Sequence, residues 1–323
     1  MPLSLLEPHI TIKSHRAVTI WLQGTDHLRR VEILSPAKIN LHLEVGAVRN
    51  DGFHEIQSLF QAVSLYDRME WTLTDRQGEC LISGDFPCLA EDNLIYKAVG
   101  LFRDATGFKE GVSVSVDKKI PHEAGLGGGS SNGAAALKAM AALSGISFSF
   151  EKMVEMAASL GSDVPFFFYG AAAAVSGRGE IVETIPARTD FSVILVKPDS
   201  LGISTADAYR AVDRYLEDEN NVQSVLTKED MIKLYRELSP AEWPFRNSFF
   251  ETYKNQYKPL EFIFNLLYDS GAVFAGLSGS GSAVFGLFLS VEKAHIAESH
   301  LRSHFPFTER IKPLDSILPA NVL

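Results

Sequence analysis

Residues 38–46, KINLHLEVG, alternate apolar and polar side chains. Ile39, Leu41, Leu43 and Val45 share one face, while Lys38, Asn40, His42 and Glu44 share the other, and a period of two predicts a β-strand. VSVSV at 112–116 alternates in the same way, and Pro121 then stops any extension of pairing. The next segment, AGLGGGSSNGAAALKAMAALSG at 124–145, changes character. Its glycines at 125 and 127–129 predict a flexible turn, and Ser130 and Ser131 are candidate caps. The Ala/Leu-rich run to Leu143 favours a helix that Gly145 ends. A second helix is expected over 151–160, with Met153, Ala157 and Leu160 on one stripe and Gly161 closing it.

FSVILVK at 191–197 begins a second half. Helical patterns near 204–216 and 249–269 follow it. The chain then predicts a strand at 272–276, a glycine-serine loop at 277–282, a strand at 283–289 and a helix at 291–303. Strands and helices without strict alternation predict an α+β fold. The boundary is expected near residue 188, giving halves of 1–187 and 188–323, with 1–30 an unassigned extension.

Composition narrows the function classes. The 323 residues are 46% hydrophobic and 22% charged, as in an ordinary folded enzyme. A formal charge of −10 argues against a general nucleic-acid binder, whose affinity comes from Lys and Arg neutralising phosphates. It leaves a single nucleotide open, because backbone N–H groups at a helix start hold phosphate without net positive charge. Cys80 and Cys88 are too close to staple much chain, and a reducing compartment is the simpler expectation. The leading segment carries Glu7, Lys13, His15 and Arg16 and lacks a secretory pattern. The most apolar stretch, Val164 to Val175, is short and interrupted by Pro165 and Gly170. A cytoplasmic protein with no membrane partner is expected.

Three consecutive glycines before a helix suit close approach of a phosphate, although a tight structural turn is the plainer alternative. The loop lacks the Gly-Lys-Ser/Thr ending of a Walker A motif, and its spacing does not fit GxGxxG.

Four segments together resemble a known family. IPHEAGLGGGSSNGAAA at 120–136 is similar to the second motif of the GHMP kinase superfamily, whose glycine-serine loop wraps ATP phosphates. SPAKINL at 35–41 with RNDGFHEI at 49–56 resembles the amino-terminal signature of the diphosphocytidyl-methylerythritol kinases. GSDVP at 161–165 resembles that family's GADVP, and AGLSGSGSAVF at 275–285 the third GHMP motif. The resemblance runs in order from about Val31 through Arg310. It implies a ribosomal-S5-like amino-terminal domain and a ferredoxin-like carboxy-terminal domain, with the active site between them. It also implies transfer of the ATP γ-phosphoryl group to the 2-hydroxyl of 4-diphosphocytidyl-2-C-methyl-D-erythritol, in the methylerythritol phosphate route to isoprenoid precursors.

The resemblance also assigns residues. Lys38 and Asp163 correspond to the catalytic pair: an attacking alcohol must lose a proton, and the moving phosphoryl group needs its charge held. Local pattern alone favours a solvent-facing lysine and a capping aspartate; the motif match favours catalysis. Gly125, Leu126, Gly127, Gly128, Gly129, Ser130 and Ser131 are implied to hold ATP, with Asn93 and Leu94 near the adenine and Lys118 approaching the nucleotide. On the acceptor side stand Asn40, Phe53, His54, Thr205, Tyr209, Ser278 and Gly279. His54 is implied to hold the cytosine edge. Phe53, which replaces the family's usual Tyr, is expected to sandwich the base with Tyr209. Mg²⁺ is expected to bridge phosphates, with no assigned protein ligands beyond a contact open to Ser131. The partner is a small molecule carrying cytidine diphosphate, and the chain is expected to be a monomer or homodimer. Competing readings are a homoserine or mevalonate kinase of the same superfamily, an RNA-binding S5-like fold, or an inactive regulator.

Overall fold

The alternating stretch at 38–46 is the middle of a longer strand, β1 (Arg30–Val48). It pairs antiparallel with β2 (His54–Thr74). Register shifts between Pro36 and Ala37 and between Asn40 and His42 bracket the segment that carries Lys38 and Asn40. Such irregularities bend and twist a strand. Bent in this way, β1 crosses three cores. Val31 and Ile33 enter the first, Ala37, Ile39 and Leu41 the second, and Leu43 and Val45 the third.

The computed structural model describes residues 30–198, 205–217, 226–253, 257–317 and 321–322, without the side chains of 205, 206, 321 and 322. After β2 come β3 (Cys80–Ser83), α1 (Leu94–Thr106), β4 (Gly111–Asp117), α2 (Gly128–Ser144), α3 (Phe150–Leu160) and α4 (Phe166–Tyr169). Next are β5 (Ala172–Ser176), β6 (Ile181–Thr184), β7 (Ser192–Lys197), α5 (Thr205–Leu216), α6 (Lys228–Glu237), α7 (Ser248–Tyr253) and α8 (Lys258–Asp269). The last are β8 (Phe274–Leu277), β9 (Val284–Phe288), α9 (Val291–Arg302), β10 (Phe307–Ile311) and β11 (Asn321–Val322).

One sheet runs β11-β1-β2-β4-β3, with β5 and β6 continuing from the other part of β2. The other runs β10-β7-β9-β8, all antiparallel. With α5–α8 filling its first crossover and α9 its second, this is the strand order of a ferredoxin-like unit. Side-chain alternation stacks the layers. Phe60, Ala62, Ala173 and Val175 face α1–α3, while Leu59, Val63, Ala172 and Ala174 face the second sheet. Val193, Leu195, Phe285 and Leu287 answer from that sheet, whose other face, with Ile194, Val196 and Val284, packs on α5, α7, α8 and α9. The fold is α+β, as expected.

Three expectations change. The helical pattern over 249–269 is two helices, α7 and α8, with 254–256 outside the described residues. Arg30 opens β1 opposite Thr72, so the unassigned leading segment is 1–29, which lies outside the described residues. The polar face of β1 is not in water: Lys38 and Asn40 are 3% exposed, and His42 and Glu44 are 1% exposed. Antiparallel sheets commonly leave one face solvated. Here Asp163 and the Phe60 ring cover Lys38, while Gly279, Phe245 and Arg246 from the second half of the chain cover Asn40, His42 and Glu44. No helix among the described residues is long and apolar enough to cross a membrane.

Candidate active site

A lysine this buried needs partners for its charge. Lys38 Nζ donates to Asn40 Oδ1 at 2.6 Å, lies 3.4 Å from Asp163 Oδ2, and sits 4.6 Å from the centre of the Phe60 ring. Asp163 is one-third exposed, between the end of α3 and the short α4. No side chain caps α4, so the capping role open to Asp163 at that helix is not used. Its carboxylate faces Lys38 instead. Asn40 turns its amide to Ser58 Oγ at 2.9 Å and also accepts from the Gly279 N–H at 2.9 Å. One asparagine thus joins β1 to the loop after β8.

That loop and the first glycine loop form one structure. Ala283 N–H donates to the Ala124 carbonyl at 3.2 Å, and Ser278 Oγ donates to the Gly125 carbonyl at 2.9 Å. Lys38 N–H bonds the Leu126 carbonyl at 2.9 Å, which sets the lysine against the same loop. At Gly127, where φ is +68°, a Cβ would stand 3.0 Å from Lys38 Cγ. Gly127 is the N-cap of α2 and supplies no side-chain cap. The expected capping serines lie inside the first turn. Ser131 is buried and accepts a hydrogen bond from Ser35 at 2.7 Å, so its hydroxyl is engaged by β1. Ser130 is half-buried and Gly129 exposed at the helix start. A helix start without a side-chain cap leaves N–H donors for an anion, and the dipole favours negative charge there.

Four of the expected ATP contacts, Lys118, Gly128, Asn93 and Leu94, also have structural employment. Lys118 donates to Asp67, which is fully buried, and to Asn132 Oδ1 at 3.0 Å. Asp67 further accepts from the N–H groups of Lys119 and Ile120 and from Asn132. A buried carboxylate so fully bonded holds the lysine in the wall of the loop. Gly128 also has a packing reason, since a Cβ there would meet Ile120 Cγ2 at 2.8 Å. Asn93 caps α1, accepting from Ile95 N–H at 2.9 Å, and Leu94 abuts Gly133 of α2.

At the acceptor end, the two rings expected to sandwich the base have other neighbours. Tyr209 stacks on His54, with ring centroids 5.2 Å apart and planes 24° apart. Phe53 is 52% exposed and lies beneath the Arg178 guanidinium, 5.1 Å away. The reason is α5: Ala208, Ala211 and Val212 are buried in the third core, which directs Tyr209 onto His54 and the edge of Phe249. Burial, with the Asp163 charge, pushes the Tyr209 hydroxyl up to about 12. Thr205 begins α5, and its side chain lies outside the described residues.

Comparisons with known proteins give the family. The family description "GHMP kinases N terminal domain" matches residues 93–171, and "GHMP kinases C terminal" matches 226–306. A 4-diphosphocytidyl-2-C-methyl-D-erythritol kinase of Thermodesulfovibrio yellowstonii is 38% identical over 78% of this chain and 87% of that protein. The chain belongs to the 4-diphosphocytidyl-2-C-methyl-D-erythritol kinase family. A crystal structure described as 4-(cytidine 5'-diphospho)-2C-methyl-D-erythritol kinase superposes with a TM-score of 0.75 at 31% identity, covering 87% of this chain and 98% of that one. The mevalonate kinase of Methanococcus jannaschii shares the fold, with a TM-score of 0.65 at 14% identity over 90% of this chain and all of that one.

In this GHMP kinase, sequence reasoning passed over Asn247. Its Nδ2 donates to the carbonyls of Leu277 and Gly279 at 2.7 and 2.9 Å, and its Oδ1 accepts from Phe249 N–H at 2.9 Å. A lone asparagine in RNSFF carries no local signal of that reach. The pair of buried Glu44 and half-buried Arg246, which ties β1 to the same segment, was equally hidden.

Proposed function

We propose that the enzyme transfers the γ-phosphoryl group of ATP to the 2-hydroxyl of 4-diphosphocytidyl-2-C-methyl-D-erythritol, in the methylerythritol phosphate route to isoprenoid precursors. The observation that carries the chemistry is the 3.4 Å approach of Lys38 Nζ to Asp163 Oδ2 beside the start of α2. The substrate rests on the family.

In this reading the nucleotide phosphates lie against the N–H groups at the start of α2. The acceptor hydroxyl enters between Asp163 and Lys38. Asp163 takes its proton, a contribution of about 10²–10⁴ in rate for a positioned base. Lys38, fixed by Asn40 and the Phe60 ring, holds charge on the moving phosphoryl oxygens. Among the described residues no cluster of three His, Cys, Asp or Glu is arranged for a metal. Mg²⁺ would neutralise phosphate charge when bound, with the Ser131 hydroxyl the one protein contact open to it. We also place the domain boundary near residue 188, between β6 and β7, and the enzyme in the cytoplasm with small molecules as its partners.

A coupled ADP-release assay across the cytidyl alcohol, mevalonate and homoserine tests the assignment. The cytidyl alcohol is expected to be strongly preferred. Preference for mevalonate or homoserine would remove the substrate and leave the kinase class standing.

A further inference from the structure

Ser58 is wholly buried, and its hydroxyl has a single proton to give. It stands in β2 beside the irregular stretch of β1. There the register passes from Asn40 opposite Phe60 to His42 opposite Leu59, skipping Leu41. Ser58 Oγ lies 2.5 Å from the His42 carbonyl oxygen. A carbonyl only accepts, so the proton is committed to that bond. Toward its other neighbour Ser58 is left as an acceptor. That neighbour is the Asn40 side chain, 2.9 Å away, and the group it presents is therefore the Nδ2 amide.

The orientation carries forward to the reacting end. With Nδ2 on Ser58, Asn40 Oδ1 faces two donors, Lys38 Nζ at 2.6 Å and the Gly279 N–H at 2.9 Å. A reversed amide would set its NH₂ against an ammonium and a backbone N–H. Its oxygen would then meet a hydroxyl whose proton is already placed. Lys38, Asn40 and Ser58 are all buried, where donors and acceptors left unmet are most costly. Only one setting of the amide satisfies the whole set.

We propose that Ser58 is a positioning residue for phosphoryl transfer, which sets the Asn40 amide so that its oxygen holds Lys38 and the second glycine loop together. The inference rests on the role of Lys38 proposed above. Without the Ser58 hydroxyl, Nδ2 loses its acceptor and the amide is free to turn. Lys38 then loses the bond that fixes its ammonium 3.4 Å from Asp163, and Gly279 loses its tie to β1. Both losses fall on the geometry of transfer, and so on kcat, more than on the holding of ATP.

The test measures kcat and KM of the full-length enzyme on the cytidyl alcohol by ADP release, alongside thermal melts. Ser58→Ala is expected to lower kcat about tenfold with the KM for ATP little changed. Made in an Asn40→Ala background, the same substitution is expected to lower kcat no further, because Ser58 acts through Asn40. Ser58→Thr and Ser58→Val have one shape and differ in the hydroxyl, so their comparison removes any effect of packing. The Thr variant is expected to turn over about tenfold faster than the Val variant. Wild-type kcat in folded Ser58→Ala, equal kcat in the Thr and Val variants, or an undiminished loss in the Asn40→Ala background would make Ser58 a packing residue and overturn the inference. Wild-type kcat in Asn40→Ala would instead remove the proposed role of Lys38 and Asn40, and this inference with it.

Discussion

Gly125 and Ser278, 153 residues apart, touch backbone to backbone: a Cβ on Gly125 would stand 1.8 Å from the Ser278 carbonyl oxygen. The two glycine-rich loops are therefore one packed unit, and their glycines serve each other. With φ at +74°, Gly125 also has a backbone conformation that other residues adopt at a cost. Gly125→Ala is expected to force the loops apart, lowering the melting temperature and cutting kcat by about tenfold or more. Wild-type melting and turnover would show that the loops tolerate separation.

Gly129 is the counter-case. Nothing lies within 4 Å of a Cβ placed there, and the residue is in α2. Gly129→Ala should fold at least as stably as wild type, by up to about 1 kcal/mol, because alanine favours a helix over glycine. If phosphates rest on this turn, the KM for ATP rises and that for the acceptor does not. An unchanged KM for ATP would place the phosphates elsewhere.

The contrast shows what the sequence could and could not reveal. The three glycines, the alternation around Lys38 and the helix ending at Gly145 are local patterns, and the structure keeps them within a few residues. The need for glycine at 125 is a distant collision with Ser278, and at 128 a contact with Ile120, neither written in the neighbouring residues. The even-numbered residues of β1 look like a solvent face because burial of a charge depends on partners hundreds of residues away, such as Arg246 for Glu44. Tyr209 stacks on the ring of His54, a contact that no local pattern announces, since the core face of α5 sets its direction.

Asn247 holds the second loop by two amide hydrogen bonds and caps the turn into α7 through its other oxygen. Asn247→Asp retains the acceptor for the cap but turns a carboxylate toward two carbonyl oxygens. Gly279, which also bonds Asn40, should then shift. A kcat lowered by about tenfold is expected, and Asn247→Ala should in addition lose about 1 kcal/mol from the missing cap. Steady-state turnover alongside thermal melts separates these effects. Undiminished kcat in Asn247→Asp would mean that the loop is held by other contacts.

Glu44 gives the fold a pH dependence. Burial pushes its carboxyl up, but the Arg246 guanidinium bonded to it and the His42 ring 3.6 Å away outweigh burial and leave the group below the ordinary range. A carboxyl depressed in the folded state contributes stability that is complete above the unfolded value, about 4.3, and disappears as pH falls through the folded one. The melting temperature should therefore drop as pH is lowered below about 4.3, and part of that slope should vanish in Glu44→Gln. An identical acid slope in wild type and Glu44→Gln would assign it to other carboxylates.

The proton acceptor is the centre of the proposed chemistry. Asp163 is one-third exposed, lies 3.4 Å from the Lys38 ammonium, and is not used to cap α4. Asp163→Asn keeps its size and removes the base. The direct measurement is kcat of purified Asp163→Asn on the cytidyl alcohol at saturating ATP, with ATP affinity measured by calorimetry on the same sample. A fall of about 10²-fold or more, with ATP affinity and melting temperature retained, is expected. Near-normal turnover in the folded variant would contradict the assignment of Asp163 as the base.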